Sequence, residues 1–201
     1  MPDDRFHSWP LDQIKQLVGI AGTPFEQRVS DLLVEQLREG LVTGQVHPEK
    51  VVHEIRCLEG MGDSKTEPEE PFRGGVLGGF SKKHFFMARY LPQNLINELR
   101  LNRPRSEKTK AVIRGARGKK GEDPAKYAMR IAQRLVENTY SERAKKRRLT
   151  GEWIVFKKHE GKNYYLTLAF HGEADPAIRD QVIFDRMVAG CSKQFPFLFA
   201  H

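Results

Sequence analysis

The sequence predicts an α+β fold, an N-terminal helical hairpin plus a small antiparallel sheet flanked by helices. Three observations predict it. Apolar residues recur at helical spacing through residues 11–37. Two runs rich in β-branched and aromatic residues, Trp153 to Phe156 and Tyr164 to Phe170, bracket the turn pair Glu160-Gly161. A last helical pattern follows Asp175-Pro176.

The elements follow in chain order. Leu11, Ile14, Leu17 and Val18 share one face of a first helix, which Gly19 and Gly22 help to end. Thr23-Pro24-Phe25-Glu26 reads as the start of a second, with Thr23 as N-cap, Pro24 in the first turn and Glu26 closing a capping box. Val29, Leu32, Leu33, Gln36 and Leu37 carry its stripe to Gly40. Residues 50–58, KVVHEIRCL, are rich in β-branched residues and read as a strand. The acidic stretch EGMGDSKTEPEEP reads as a polar loop.

Residues 72–90 read as strand or extended chain ending near Tyr90, with Gly74, Gly75, Gly78 and Gly79 around Val76 and Leu77. Pro92 opens a short helix, and residues 103–121 read as a basic loop. Asp123-Pro124 starts an amphipathic helix that runs to about Lys146. The β-hairpin comes next. In the final helix Ile178, Val182, Ile183, Met187 and Val188 face inward, Gly190 ends it, and the tail FPFLF packs on the core. The expected organisation is a hairpin, residues 1–45, packed on an α+β core, residues 46–201, with helices on one side of the sheet.

Composition narrows the function classes. Charged residues are 30% of the 201 and hydrophobic ones 39%, the balance of a globular chain rather than a disordered one. No apolar run reaches the roughly 18 residues of a membrane helix, and no secretory signal opens the chain. Cys57 and Cys191 form neither a zinc motif nor a disulfide framework. The expectation is a cytoplasmic protein with reduced thiols, no cofactor, no metal and no membrane partner.

The net charge is +8. Residues 103–148 hold sixteen Lys or Arg against five acids, a local balance of +11, so the rest of the molecule is slightly acidic. Charge concentrated this way neutralises phosphates and releases their counterions. Arg114, Arg117, Lys119, Lys120, Lys145, Lys146, Arg147 and Arg148 are therefore candidate contacts to RNA or DNA, together with Lys82, Lys157 and Lys158.

The segment FSKKHFFMARY, residues 80–90, supplies cations, an imidazole and a stacking ring. Cleavage of RNA by its own 2′-hydroxyl needs a base, an acid and cations on the phosphate, and histidine titrates near neutrality. His84 and His171 are the candidate acid/base pair. Lys82, Lys83 and Arg89 bind or polarise the phosphate, and Tyr90 or Tyr165 stacks or orients. The glycine pairs match neither phosphate-loop nor dinucleotide fingerprints. His84, His171, Glu173 and Asp175 are the residues a metal would use, but no metal-ligand spacing is present.

A basic α+β chain with His, Lys, Arg and Tyr as candidates is similar in broad outline to metal-independent ribonucleases of the barnase type. The similarity is one of architecture and residue type over residues 72–190. It implies an endoribonuclease, toxin-like or RNA-processing. The alternatives are a non-catalytic module that binds RNA, DNA or a nucleoprotein complex, and an adaptor or inhibitor with a protein partner.

Overall fold

The computed structural model describes Phe6 and residues 8–86, 152–170 and 172–200. Helix α1, Leu11–Val18, ends at Gly19, whose φ of 78° only glycine adopts freely. Helix α2 is Asp31–Thr43, capped by Ser30, whose hydroxyl accepts from the Leu33 amide. It starts later than the Thr23 box predicts. Thr23 donates to the Ile20 carbonyl instead, Glu26 accepts from the Gly22 amide, and Glu26–Arg28 is one turn of 3₁₀ helix. A cap with a competing local partner does not nucleate the helix.

Residues 50–58 are not a strand. They belong to helix α3, Pro48–Leu58, with Pro48 in its first turn. Val51, Val52 and Ile55 are buried at helical spacing against α1 and α2. Burial of that face outweighs the β preference of the two valines.

The sheet runs in the order β1, Glu70–Pro71; β2, Ser81–Phe85; β3, Glu152–His159; β4, Lys162–Ala169, every neighbour antiparallel. The hairpin β3–β4 turns through Glu160 and Gly161, at φ 49° and 75°, as a two-residue turn with both φ positive requires. The register shifts after Val155, and Leu166 has no direct partner across the ladder. As a result Tyr165 and Leu168 pack on one face while Leu166 and Ala169 pack on the other. Strict alternation predicts Leu166 and Leu168 together.

Helices cover both faces, not one. Ile14, Leu33, Leu37 and Ile55 meet Phe85, Ile154 and Phe156 on the first face. On the second, Trp153, Val155 and Leu166 meet helix α4, Arg179–Cys191, through Ile183 and Met187. Ile178, Val182 and Val188 are exposed, contrary to the expected inner face. Gly190 lies inside α4 and lets Leu32 of α2 approach; it does not end the helix. Phe195 and Leu198 of the tail are buried, while Phe197 is open to solvent.

The outer edge of β4 is covered. The Ser30 amide and hydroxyl donate to the carbonyls of Tyr165 and Leu166, and Gln36 accepts from the Leu168 amide. Below it, Arg28 binds Glu59 through two nitrogens at 2.9 and 2.5 Å, and Tyr165 donates to the same carboxylate at 2.6 Å. Burial disfavours charge on Glu59, but the bonds from Arg28 and Tyr165 outweigh it and hold the carboxyl below its ordinary value of 4.5. Both cysteines are unbridged, and burial pushes the Cys191 thiol up to about 11. Among the described residues no helix is long and apolar enough to cross a membrane.

Candidate nucleic-acid interface

Alternation along β2 divides the expected catalytic set. Lys82 and His84 project to the α4 face, toward Trp153. Lys83 projects to the other face and is buried. Its ammonium donates to Ser64 Oγ and Thr66 Oγ1, both at 2.8 Å, and to the Glu67 carbonyl at 2.5 Å, with Glu54 at 3.4 Å. Burial lowers the Lys83 pKa, and the Glu54 charge opposes that shift. An ammonium so enclosed ties α3 to β2 and offers nothing to a phosphate. The expected role of Lys83 as an electrostatic clamp is corrected on that ground.

Around Trp153 the structure assembles a site. Lys82 Nζ lies 4.4 Å from the indole and Arg179 Cζ 4.8 Å from it. Lys82 also lies 5.5 Å from the ring of Phe72. Glu70 pairs with Lys82 at 3.0 Å, and Asp180 lies 3.5 Å from Arg179. The hydrogen bond from Lys82 holds the Glu70 carboxyl below its ordinary range. With Pro71 and Arg73 these residues line a cleft of about 270 Å³. Three cations thus face two carboxylates. Trp153 itself is only 5% exposed. The cleft therefore offers charge rather than a bare ring for a base to stack on.

Comparisons of the chain with family models, curated proteins and solved structures found no match.

His84 adjoins this site through its contact with Trp153. Its Nε2 is 3.3 Å from Glu67, and its ring meets Trp153 edge-on with centroids 6.2 Å apart. The carboxylate suits the orientation of an imidazole, but the histidine side chain is only 7% exposed. Lys158 is an exposed cation paired with Glu69 at 2.6 Å. Lys157 folds inward over Phe80 and donates to the Leu198 carbonyl. Tyr165, a candidate for stacking, is fully buried with its hydroxyl on Glu59, so it is a core residue.

Glu173 is engaged by Arg186, and Asp175 accepts from the Ala177 amide. Among the described residues no cluster of His, Cys, Asp or Glu fits a metal ion. His171, Arg89, Tyr90, Arg114, Arg117, Lys119, Lys120, Lys145, Lys146, Arg147 and Arg148 lie outside the described residues, as do the elements predicted between residues 91 and 146.

Sequence reasoning missed Phe72, Arg73, Trp153, Arg179 and the acids Glu67 and Glu70. Trp153 reads as one more core aromatic of a strand, and Arg179 as one more charge near a helix start. One signal was available in the acidic loop, where Glu67, Glu69 and Glu70 stand just before a strand that carries Lys82, Lys83 and His84. Opposite charge on adjacent strands is a pairing signal.

Proposed function

We propose that this protein binds nucleic acid through the phosphate backbone, using the Trp153 cleft and the basic segment 103–148. The observation that carries the reading is the convergence of Arg73, Lys82 and Arg179 on one cleft near the ends of the chain span that contains that segment. The chain leaves β2 after Phe85 and re-enters at Glu152, and these two are register partners. The chain between them, residues 86–151, contains the +11 segment, and the described ends Phe85 and Glu152 adjoin His84 and Trp153. Cations that pack on a covered indole lie in a site of reduced dielectric, where attraction to phosphate is strengthened. Backbone contacts of this kind favour no base sequence.

A second reading, metal-independent cleavage of RNA, is favoured by the Glu67–His84 pair. A carboxylate that orients an imidazole is a recurring acid/base device. It requires Glu67, which is 37% exposed, to swing aside before His84 meets a substrate. The observed burial of His84 and Lys83 makes binding the better supported of the two.

The test is incubation of the purified protein with labelled single-stranded RNA, duplex RNA and DNA, in EDTA or magnesium, over a salt series. Salt-dependent retention of nucleic acid without cleavage is the expected result. Cleavage of RNA alone that resists EDTA and is lost in His84→Ala would move the second reading to first place. No binding at low salt would overturn both.

A further inference from the structure

A second cleft, of about 300 Å³, opens between the glycine-rich turn and the C-terminal tail. Its walls are Phe80, Phe184, Leu198 and Phe199, and Val76 stands at its rim, 40% exposed. The Phe80 ring centroid lies 6.3 Å from that of Phe184 and 6.0 Å from that of Phe199. The side chains of these walls are apolar and mostly aromatic, while Gly75, Gly78 and Ala200 add polar backbone to the lining. One cation enters them. Lys157 Nζ lies 4.9 Å from the Phe80 ring and spends one hydrogen bond, 2.5 Å long, on the Leu198 carbonyl. An ammonium has three donors, so two remain.

Among the described residues no carboxylate lies within ion-pair distance of Lys157. This distinguishes it from Lys82 and Lys158, which are both paired with glutamates. A charge held against aromatic walls with no counterion is matched by a ligand that brings one negative group and an apolar remainder. A phosphate backbone is excluded by the same walls, because its charges would meet three phenylalanines and one amine.

We propose that this cleft binds a small carboxylate with a short apolar tail, the carboxylate on Lys157 and the tail against Phe80, Phe184 and Phe199. The site is separate from the Trp153 cleft and does not depend on the nucleic-acid reading. Its size sits at the lower end of the roughly 300–1,000 Å³ of small-molecule pockets, which limits the tail to a short chain or one ring.

The probe is octanoate, titrated calorimetrically below its micelle concentration, with octan-1-ol as the uncharged control. The expected result is saturable binding of octanoate, about tenfold or more tighter than the alcohol, as a charge-assisted contact implies. Lys157→Met should lower octanoate to the level of the alcohol and leave the alcohol unchanged. Val76→Trp, at an exposed rim position that leaves the core untouched, should block both ligands even if Lys157→Met fails to fold. Absence of saturable octanoate binding, equal affinity for the two ligands, or full binding by Val76→Trp would each overturn the proposal.

Discussion

Phe85 and Glu152 face each other as Cα partners across β2 and β3, although residues 86–151 separate them in the chain. The most basic part of the sequence, residues 103–148, lies in the chain between these two partners. Both partners stand beside Trp153, whose neighbours Lys82 and Arg179 carry the charge of the described cleft.

Lys83 is expected to matter for stability and not for binding. Replacing it with Met leaves Glu54 buried and uncompensated, and should cost about 3–5 kcal/mol in urea unfolding. The double change Lys83→Met with Glu54→Leu should recover most of that loss, because removal of both charges also removes the desolvation cost. Nucleic-acid affinity of the folded variants should equal that of the parent. A stable Lys83→Met protein that has lost binding would return Lys83 to the site.

The Arg28–Glu59–Tyr165 network predicts how stability depends on acid. Glu59 has a folded pKa below 4.5, so its contribution is complete above the ordinary carboxylate range and is lost as pH falls through the folded value. Glu59→Gln should cost about 1.5–3 kcal/mol at neutral pH. It should also flatten the acid limb of the stability curve below pH 4.5, which thermal melts over a pH series will read. An acid limb unchanged by the substitution would remove Glu59 as its source.

Gly190→Ala raises helix propensity by up to about 1 kcal/mol, yet it should destabilise the protein. A Cβ built there meets Leu32 Cδ2 at 2.9 Å and Leu32 Cβ at 3.1 Å. The second atom is fixed to the α2 backbone, so α2 and α4 must separate. A net loss of about 1–3 kcal/mol is expected in denaturant unfolding. A gain in stability would mean that the two helices are free to shift.

The fold was legible where local chemistry and burial agree. The β3–β4 hairpin is legible to within three residues at each end, because Glu160-Gly161 and the flanking aromatic runs both demand it. Helix α3 was not, because Val51 and Val52 favour strand locally while the face they share with Ile55 becomes decisive only once α1 and α2 cover it. Alternation places Lys82 and Lys83 on opposite faces, but both faces of this sheet are covered, so it does not say which lysine is enclosed. Trp153 and Arg179 meet across the turn that links the sheet to α4, and no spacing in the sequence encodes that contact.

The most direct test is the salt dependence of binding to a labelled single-stranded RNA oligonucleotide, for the parent and for the triple variant Arg73→Gln, Lys82→Gln and Arg179→Gln. Each phosphate neutralised contributes roughly 0.7 to the slope of log K against log salt on single strands. The parent is expected to bind tightly at about 50 mM salt, with a slope steeper than that of the folded variant by up to about 2 units. Equal slopes would remove the Trp153 cleft from the interface, and no binding by the parent at that salt would contradict the nucleic-acid reading altogether.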